Sequence, residues 1–272
     1  MKAWSDFKPD IRVITPLICH LFGIRLPEQS SDYIPGEVLA LENECTLCIE
    51  RCLIYAPDAV GSFLFGYCPA VFKEIKAAAP IELPLRAAFP PVTPVCFATM
   101  FTGTSPEEHG LSVYHKPVLK CDTLFDALIR AGKRVAIVAV KNSSIDLIFR
   151  ERELDYFSEE SDSQVIERAL YLIERNHHDF ILAYNQEFDD SLHATTPVSE
   201  QSIQAVKNHT ASFLRLARAA NQHWKLCNRA ILFAPDHGAH SDPLTGKGTH
   251  GQDIPEDMDI WHYLSLEKGI DY

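Results

Sequence analysis

Asp236 and His237 stand side by side in the segment FAPDHGAHS, and Asp189 and His193 are four apart in QEFDDSLHATTP. One helical turn would point Asp189 and His193 the same way. His250 is flanked by glycines in GKGTHGQD, where the backbone can come close to a ligand. Carboxylate oxygens and imidazole nitrogens in such a set suit zinc, or a harder ion such as manganese. Thr93 adds a hydroxyl. Followed by Pro94, it reads as a helix N-cap with proline at the first helical position. The free N–H groups and the helix dipole there favour an oxyanion or a phosphate. A threonine hydroxyl is a poor nucleophile at neutral pH, and a bound cation can lower its pKa enough to activate it.

Positioning these residues is the task of the elements around them. Residues 52–56, 134–140, 180–184 and 229–234 are short runs, mostly apolar, and read as buried strands. Residues 69–79, 123–131, 163–175 and 199–221 read as helices, and Thr93 opens another. Strands alternating with helices indicate an α/β fold, a mostly parallel central sheet with helices on both faces. In such sheets ligands sit beyond the C-terminal strand ends. That rule selects Asp58 after the first strand, Asp189 shortly after the 180–184 strand, and Asp236 with His237 after the 229–234 strand. Three carboxylates converging on one edge repel each other unless positive charge lies between them. A metal site is the simplest solution. Residues 1–50 read as an irregular N-terminal segment, with turn signals at Ser30, Ser31 and Asp32 and at Pro35 and Gly36, leaving 51–272 as the catalytic domain.

The chain carries a formal net charge of −12 with no Lys/Arg-rich run to offset it. Nucleic-acid polymers and anionic membranes are therefore not expected partners. An anionic substrate would draw on the charge of bound metal ions. No apolar stretch reaches the roughly 20 residues of a membrane helix. The run at 14–24 is interrupted by Pro16 and His20, a poor signal peptide, so a cytoplasmic location is expected. The residues leave homo-oligomerisation open. Cys45, Cys48 and Cys52 could form a zinc knuckle, but no second CxxC follows nearby. Their helical spacing favours a helix face of small apolar thiols.

Taken together, the segments YAPDAVG, FPPVTPVCFATMFTGTSPEEHG, FDDSLH, PDHG and THG resemble the alkaline phosphatase superfamily, and most of all its type I phosphodiesterase / nucleotide pyrophosphatase branch. The resemblance runs from about Cys52 to the C-terminus, with all segments in the family's order. It implies an alkaline-phosphatase-like fold, here a minimal core without a large cap domain. It implies two divalent ions, zinc or manganese. Asp58, Thr93, Asp236 and His237 resemble one metal shell, and Asp189, His193 and His250 the other. Thr93 resembles the nucleophile, which forms a phosphothreonine before hydrolysis, and the substrate is a small phosphate ester. Two departures stand out. Many relatives have glycine where this chain has Ala59. The diesterase relatives use an Asn beyond the nucleophile to contact the phosphoryl oxygen. No Asn follows Thr93 in the helix it opens, and Cys96, three residues on, is the candidate substrate contact in its place.

The bland readings differ from residue to residue. Asp190 reads as a solvated neighbour of Asp189, and His240 as a loop residue near the site. His177 and His178 read as a polar helix end. His109 reads as structural, with Gly110 ending its helix. Thr99 and Thr102 read as packing or back-bonding residues. The alternatives implied for function are a phosphomonoesterase or a phosphomutase of the same superfamily, and a metal-binding protein without turnover. A sulfatase is disfavoured, because no Cys/Ser-x-Pro-x-Arg segment is present.

Overall fold

α1 (Ile14–Phe22) occupies a stretch expected to be irregular. Pro16 does not prevent it, because Pro16 sits in the first turn, where its missing N–H would have had no helical partner. Ile14, Leu17, Ile18 and Leu21 are buried in the core, and Thr15 Oγ1 donates to the Met100 carbonyl at 2.7 Å. The N-terminal segment therefore contributes a core helix, a correction to the irregular reading of residues 1–50. The computed structural model describes residues 9–32, 34 and 48–270.

The chain continues through β1 (Arg51–Pro57), α2 (Pro69–Ala78), β2 (Ile81–Arg86), α3 (Thr93–Thr102), α4 (Pro106–His109), α5 (Leu124–Arg130) and β3 (Val135–Val140). Then follow α6 (Ser144–Ile148), β4 (Asp155–Glu159), α7 (Asp162–Arg175), β5 (Phe180–Asn185), α8 (Glu187–Ala194), α9 (Glu200–His223) and β6 (Arg229–Phe233). The last elements are the short β7 (His240–Ser241) and β8 (Gly248–Thr249), α10 (Pro255–Met258) and β9 (Asp259–Glu267).

Seven strands form one sheet in the order β2, β9, β6, β1, β5, β3, β4. β6, β1, β5, β3 and β4 pair in parallel, and β9 runs antiparallel to β6 and β2. This is the expected mostly parallel α/β sheet. Alternation along β1 shows how both faces are covered. Cys52, Ile54 and Ala56 join the core beneath α1, α3 and α5. Leu53 and Tyr55 join the opposite core beneath α2, α7 and α9. β2 tolerates Pro84 because it is the edge strand of the sheet, with only an isolated bridge at Arg86 on the side away from β9.

Cys52 lies within extended β1, so it shares no helix face with Cys48, and that expectation fails. Cys45 lies outside the described residues. Among the described residues no helix is long and apolar enough to cross a membrane.

Candidate active site

Four adjacent parallel strands, β6, β1, β5 and β3, end on the same edge of the sheet. Asp58 follows β1 directly. Asp236 and His237 follow β6 after two residues. Asp189 and His193 lie on α8, which begins just after β5, and the helical turn between them brings both to one cluster. His250 follows β8. Gly238 lets the Asp236–His237 loop pack tightly: a Cβ there would lie 2.0 Å from the Glu256 carbonyl oxygen and 3.0 Å from Gly61 Cα.

Thr93 is the first residue of α3 and not its cap, a correction to the expected N-cap. Val92, extended at φ −135° and ψ 142°, takes the capping position. Its carbonyl accepts the N–H groups of Val95 and Cys96. The Thr93 side chain is thereby left free of capping duty. Its Oγ1 lies 3.4 and 3.3 Å from the two carboxylate oxygens of Asp58 and 3.4 Å from His237 Nε2.

The expected ligands fall into two clusters. Asp58, Asp236 and His237 are all buried, and Asp189, His193 and His250 are partly open. His237 Nε2 lies 3.5 Å from Asp58 Oδ1 and 3.4 Å from Asp236 Oδ2. In the second cluster, Asp189 Oδ1 lies 3.3 Å from His193 Nε2 and 3.5 Å from His250 Nε2. The His237 and His250 rings are 4.2 Å apart, so the clusters adjoin.

The imidazoles are oriented for ligation. His237, His193 and His250 place Nδ1 2.9, 3.0 and 2.9 Å from the carbonyls of Gly238, Gly248 and Pro91. A carbonyl can only accept, so Nδ1 carries the proton and Nε2 is left with a lone pair. The Nε2 atoms of His193 and His250 nevertheless face each other at 3.2 Å. Two lone pairs at that distance repel unless a proton or cation lies between them. Asp189 Oδ1 and Asp236 Oδ2 are buried with no hydrogen-bond partner, which is costly for a carboxylate without a cation. An orphaned carboxylate oxygen in each cluster, with one Nε2 in the buried cluster and two in the open one, fits a divalent metal with mixed N/O ligands.

Without a cation the two clusters carry opposite electrostatics. Burial pushes Asp236 up to about 7, with the charge of Asp189 adding and the Ala59 N–H opposing. Burial and then the neighbouring Asp236 hold Asp58 well above the usual carboxylate range. Burial pushes His237 down to about 3. For Asp189, burial acts upward, but the His193 and His250 imidazoles, close enough to bond its Oδ1 when they are protonated, outweigh it and hold the carboxyl below its usual range.

Cys96, the candidate substrate contact, does not line the cavity that opens on Thr93. It is fully buried in the core, and its thiol points to the Ala88 carbonyl at 3.7 Å. His109 pairs with Thr99 Oγ1 at 3.0 Å, Gly110 ends α4 at φ 78°, and Thr102 back-bonds to Ala98 at 2.7 Å. His240 bonds Asp257 at 2.7 Å. Three side chains near Thr93 were missed by sequence reasoning. Tyr184, inside β5, donates its hydroxyl to Asp58. Lys116 and Lys141 line the cavity that opens on Thr93. The strand-end rule that selected Asp58 points equally to Lys141, the residue after β3.

This sheet edge sets the Thr93 hydroxyl beside two acid–imidazole clusters in a mostly parallel α/β protein. The type I phosphodiesterase / nucleotide pyrophosphatase family model matches residues 77–264, and the chain belongs to that family. Among solved structures, murine ectonucleotide pyrophosphatase / phosphodiesterase 5, in an inactive threonine-to-alanine form with AMP, matches at a TM-score of 0.58 and 15% identity over 72% of this chain. The human counterpart matches at 0.53 and 16% over 71%. Phosphonoacetate hydrolase from Sinorhizobium meliloti, in complex with phosphonoformate, matches at 0.50 and 16% over 70%. The matched regions span 59%, 58% and 57% of those chains. At these identities the likeness is one of fold. A search of curated proteins gave no match.

Proposed function

We propose that the protein is a metal-dependent phosphohydrolase that transfers a phosphoryl group to Thr93 and then to water. The observation that carries this reading is the Thr93 hydroxyl, held within 3.4 Å of Asp58 and His237 at the edge of a cavity. Asp58, Thr93, Asp236 and His237 would hold one divalent cation, and Asp189, His193 and His250 a second. The pair, zinc or manganese, would supply charge to the phosphoryl oxygens and lower the pKa of the attacking hydroxyl and water.

The protein's own groups account for the rest. Thr93 Oγ1 attacks phosphorus as the bond to the leaving alcohol oxygen breaks. The carboxylate oxygens of Asp58, 3.4 and 3.3 Å from Oγ1, are the acceptors within reach of the Thr93 proton. Tyr184 donates to Asp58 and fixes that carboxylate. The inactivity of the threonine-to-alanine form of the murine neighbour supports a threonine-centred reaction. The named substrate of the bacterial hydrolase supports phosphorus chemistry on small molecules.

The test is hydrolysis of p-nitrophenyl phosphate and of bis(p-nitrophenyl) phosphate by protein loaded with zinc or manganese. Turnover of either should disappear with a chelator and fall at least about 1,000-fold in Thr93→Ala. A metal-loaded protein that turns over neither ester would instead be a binding protein that has lost catalysis.

A further inference from the structure

The cavity beside Thr93 has a volume of about 210 Å³. It is bordered by the carboxylates Asp58, Asp189 and Asp190 and by Tyr114, Lys116, Lys141 and Asn142, and its wall contains no aliphatic side chain. That is smaller and more polar than the usual apolar ligand pocket of about 300 Å³ or more. A nucleobase would find little apolar surface to bury. The Tyr114 ring already has the Lys116 ammonium 5.7 Å from its centre.

The two lysines differ in their partners. Lys141 pairs with Glu160 at 2.7 Å. Lys116 Nζ donates to the Asn142 carbonyl at 3.0 Å and forms no ion pair with a carboxylate among the described residues. A larger cavity of about 390 Å³ elsewhere holds Lys120, Arg130, Arg150 and Arg152. There each cation is neutralised, by Glu151, Asp122, Asp146 and Asp126 in turn. In a chain of net charge −12, an uncompensated ammonium on the wall shared with Thr93 marks where a second negative charge would sit.

We propose that Lys116, supported by Lys141 and Asn142, forms a second anion subsite. The preferred substrates are then small phosphate esters whose alcohol part carries another acidic group, a carboxylate or a second phosphate, on a short linker. This rests on the phosphohydrolase reading above and narrows its substrate class. Lys116 acts on binding and takes no part in the bond changes at phosphorus.

The experiment compares phosphate release from ethyl phosphate, phosphoglycolate and ethylene glycol bisphosphate by zinc-loaded protein. Wild type should prefer the acidic esters by about tenfold in kcat/KM, the value of one charge-assisted contact. Preference for phosphoglycolate or for the bisphosphate alone would identify the acid as carboxylate or phosphate. Lys116→Ala should erase the preference through KM while leaving ethyl phosphate within about twofold, and Lys116→Arg should retain it. Equal rates on all three esters in wild type, or a uniform loss in Lys116→Ala, overturns the subsite. Turnover of none of the three leaves the subsite to calorimetry, and the phosphohydrolase reading falls only if bis(p-nitrophenyl) phosphate is untouched as well. Phosphonopropionate should bind wild type about tenfold more tightly than ethylphosphonate and lose that margin in Lys116→Ala. Equal binding in wild type overturns it.

Discussion

The two ligand clusters share a chemistry and differ in burial. His237 is fully buried, whereas the His193 side chain is 43% exposed. Asp58 and Asp236, crowded and dry, are held above the usual carboxylate range. Asp189 is held below it by His193 and His250. The buried cluster therefore repels itself until a cation arrives, and the open one partly compensates its own charge. If both clusters hold a cation as proposed, the buried site would seat Thr93 and the open one would exchange its ion and water.

The largest expected contrast is in ligand loss. Asp236→Ala should lower turnover by at least about 100-fold, with no recovery in excess zinc, because nothing from solvent reaches its place. His193→Ala should lose less, about 10- to 100-fold, and recover in part with excess zinc or imidazole. Metal analysis of both variants beside steady-state rates checks this. Equal rescue of the two would erase the distinction between closed and open sites.

A smaller contrast concerns metal-free stability, and its sign differs between clusters. Asp236 has a folded pKa near 7 against about 3.9 unfolded. Its contribution is fully present below about pH 4 and is lost as pH rises toward 7. Asp236→Asn should therefore raise the chelator-treated Tm at pH 7 and leave it unchanged near pH 4. Asp189 is shifted the other way, so its contribution is present above its unfolded value and lost as pH falls. Asp189→Asn should lower the Tm at pH 7. Melting curves of both variants in chelator test the pair, and shifts of the same sign would contradict it.

The smallest effect lies beside the buried cluster. Ala59 sits at φ 63°, a left-handed conformation costly for alanine, while its N–H donates to Asp236 Oδ1 at 3.1 Å. Ala59→Gly should stabilise the metal-loaded protein by at most about 1 kcal/mol, read by urea denaturation. A loss of stability would mean that the alanine methyl packs favourably enough to offset the strain.

Much of this was legible in the sequence, for a physical reason. The strands carrying Asp58 and Asp236 are apolar runs whose ends are marked by the first charged residue, and α8 is a single turn between Asp189 and His193. Other features were hidden by the same rules. Cys96 was misplaced because it lies one turn further into α3, where every side chain is buried, and its thiol turns to the Ala88 carbonyl. α1 was hidden by Pro16, harmless in a first turn. Tyr184 reads as one more buried strand residue, and only the fold shows its hydroxyl reaching Asp58. Lys116 and Lys141 come from a loop and a strand end 25 positions apart, and no local pattern joins them.

The central claim is that Thr93 carries the phosphoryl group. Rapid acid quench during turnover of an activated phosphate ester, followed by peptide mass spectrometry, tests it directly. One phosphoryl group is expected on the Thr93 peptide in wild type and none in Thr93→Ala. Full turnover with no phosphate on that peptide, or turnover that survives Thr93→Ala, would contradict it.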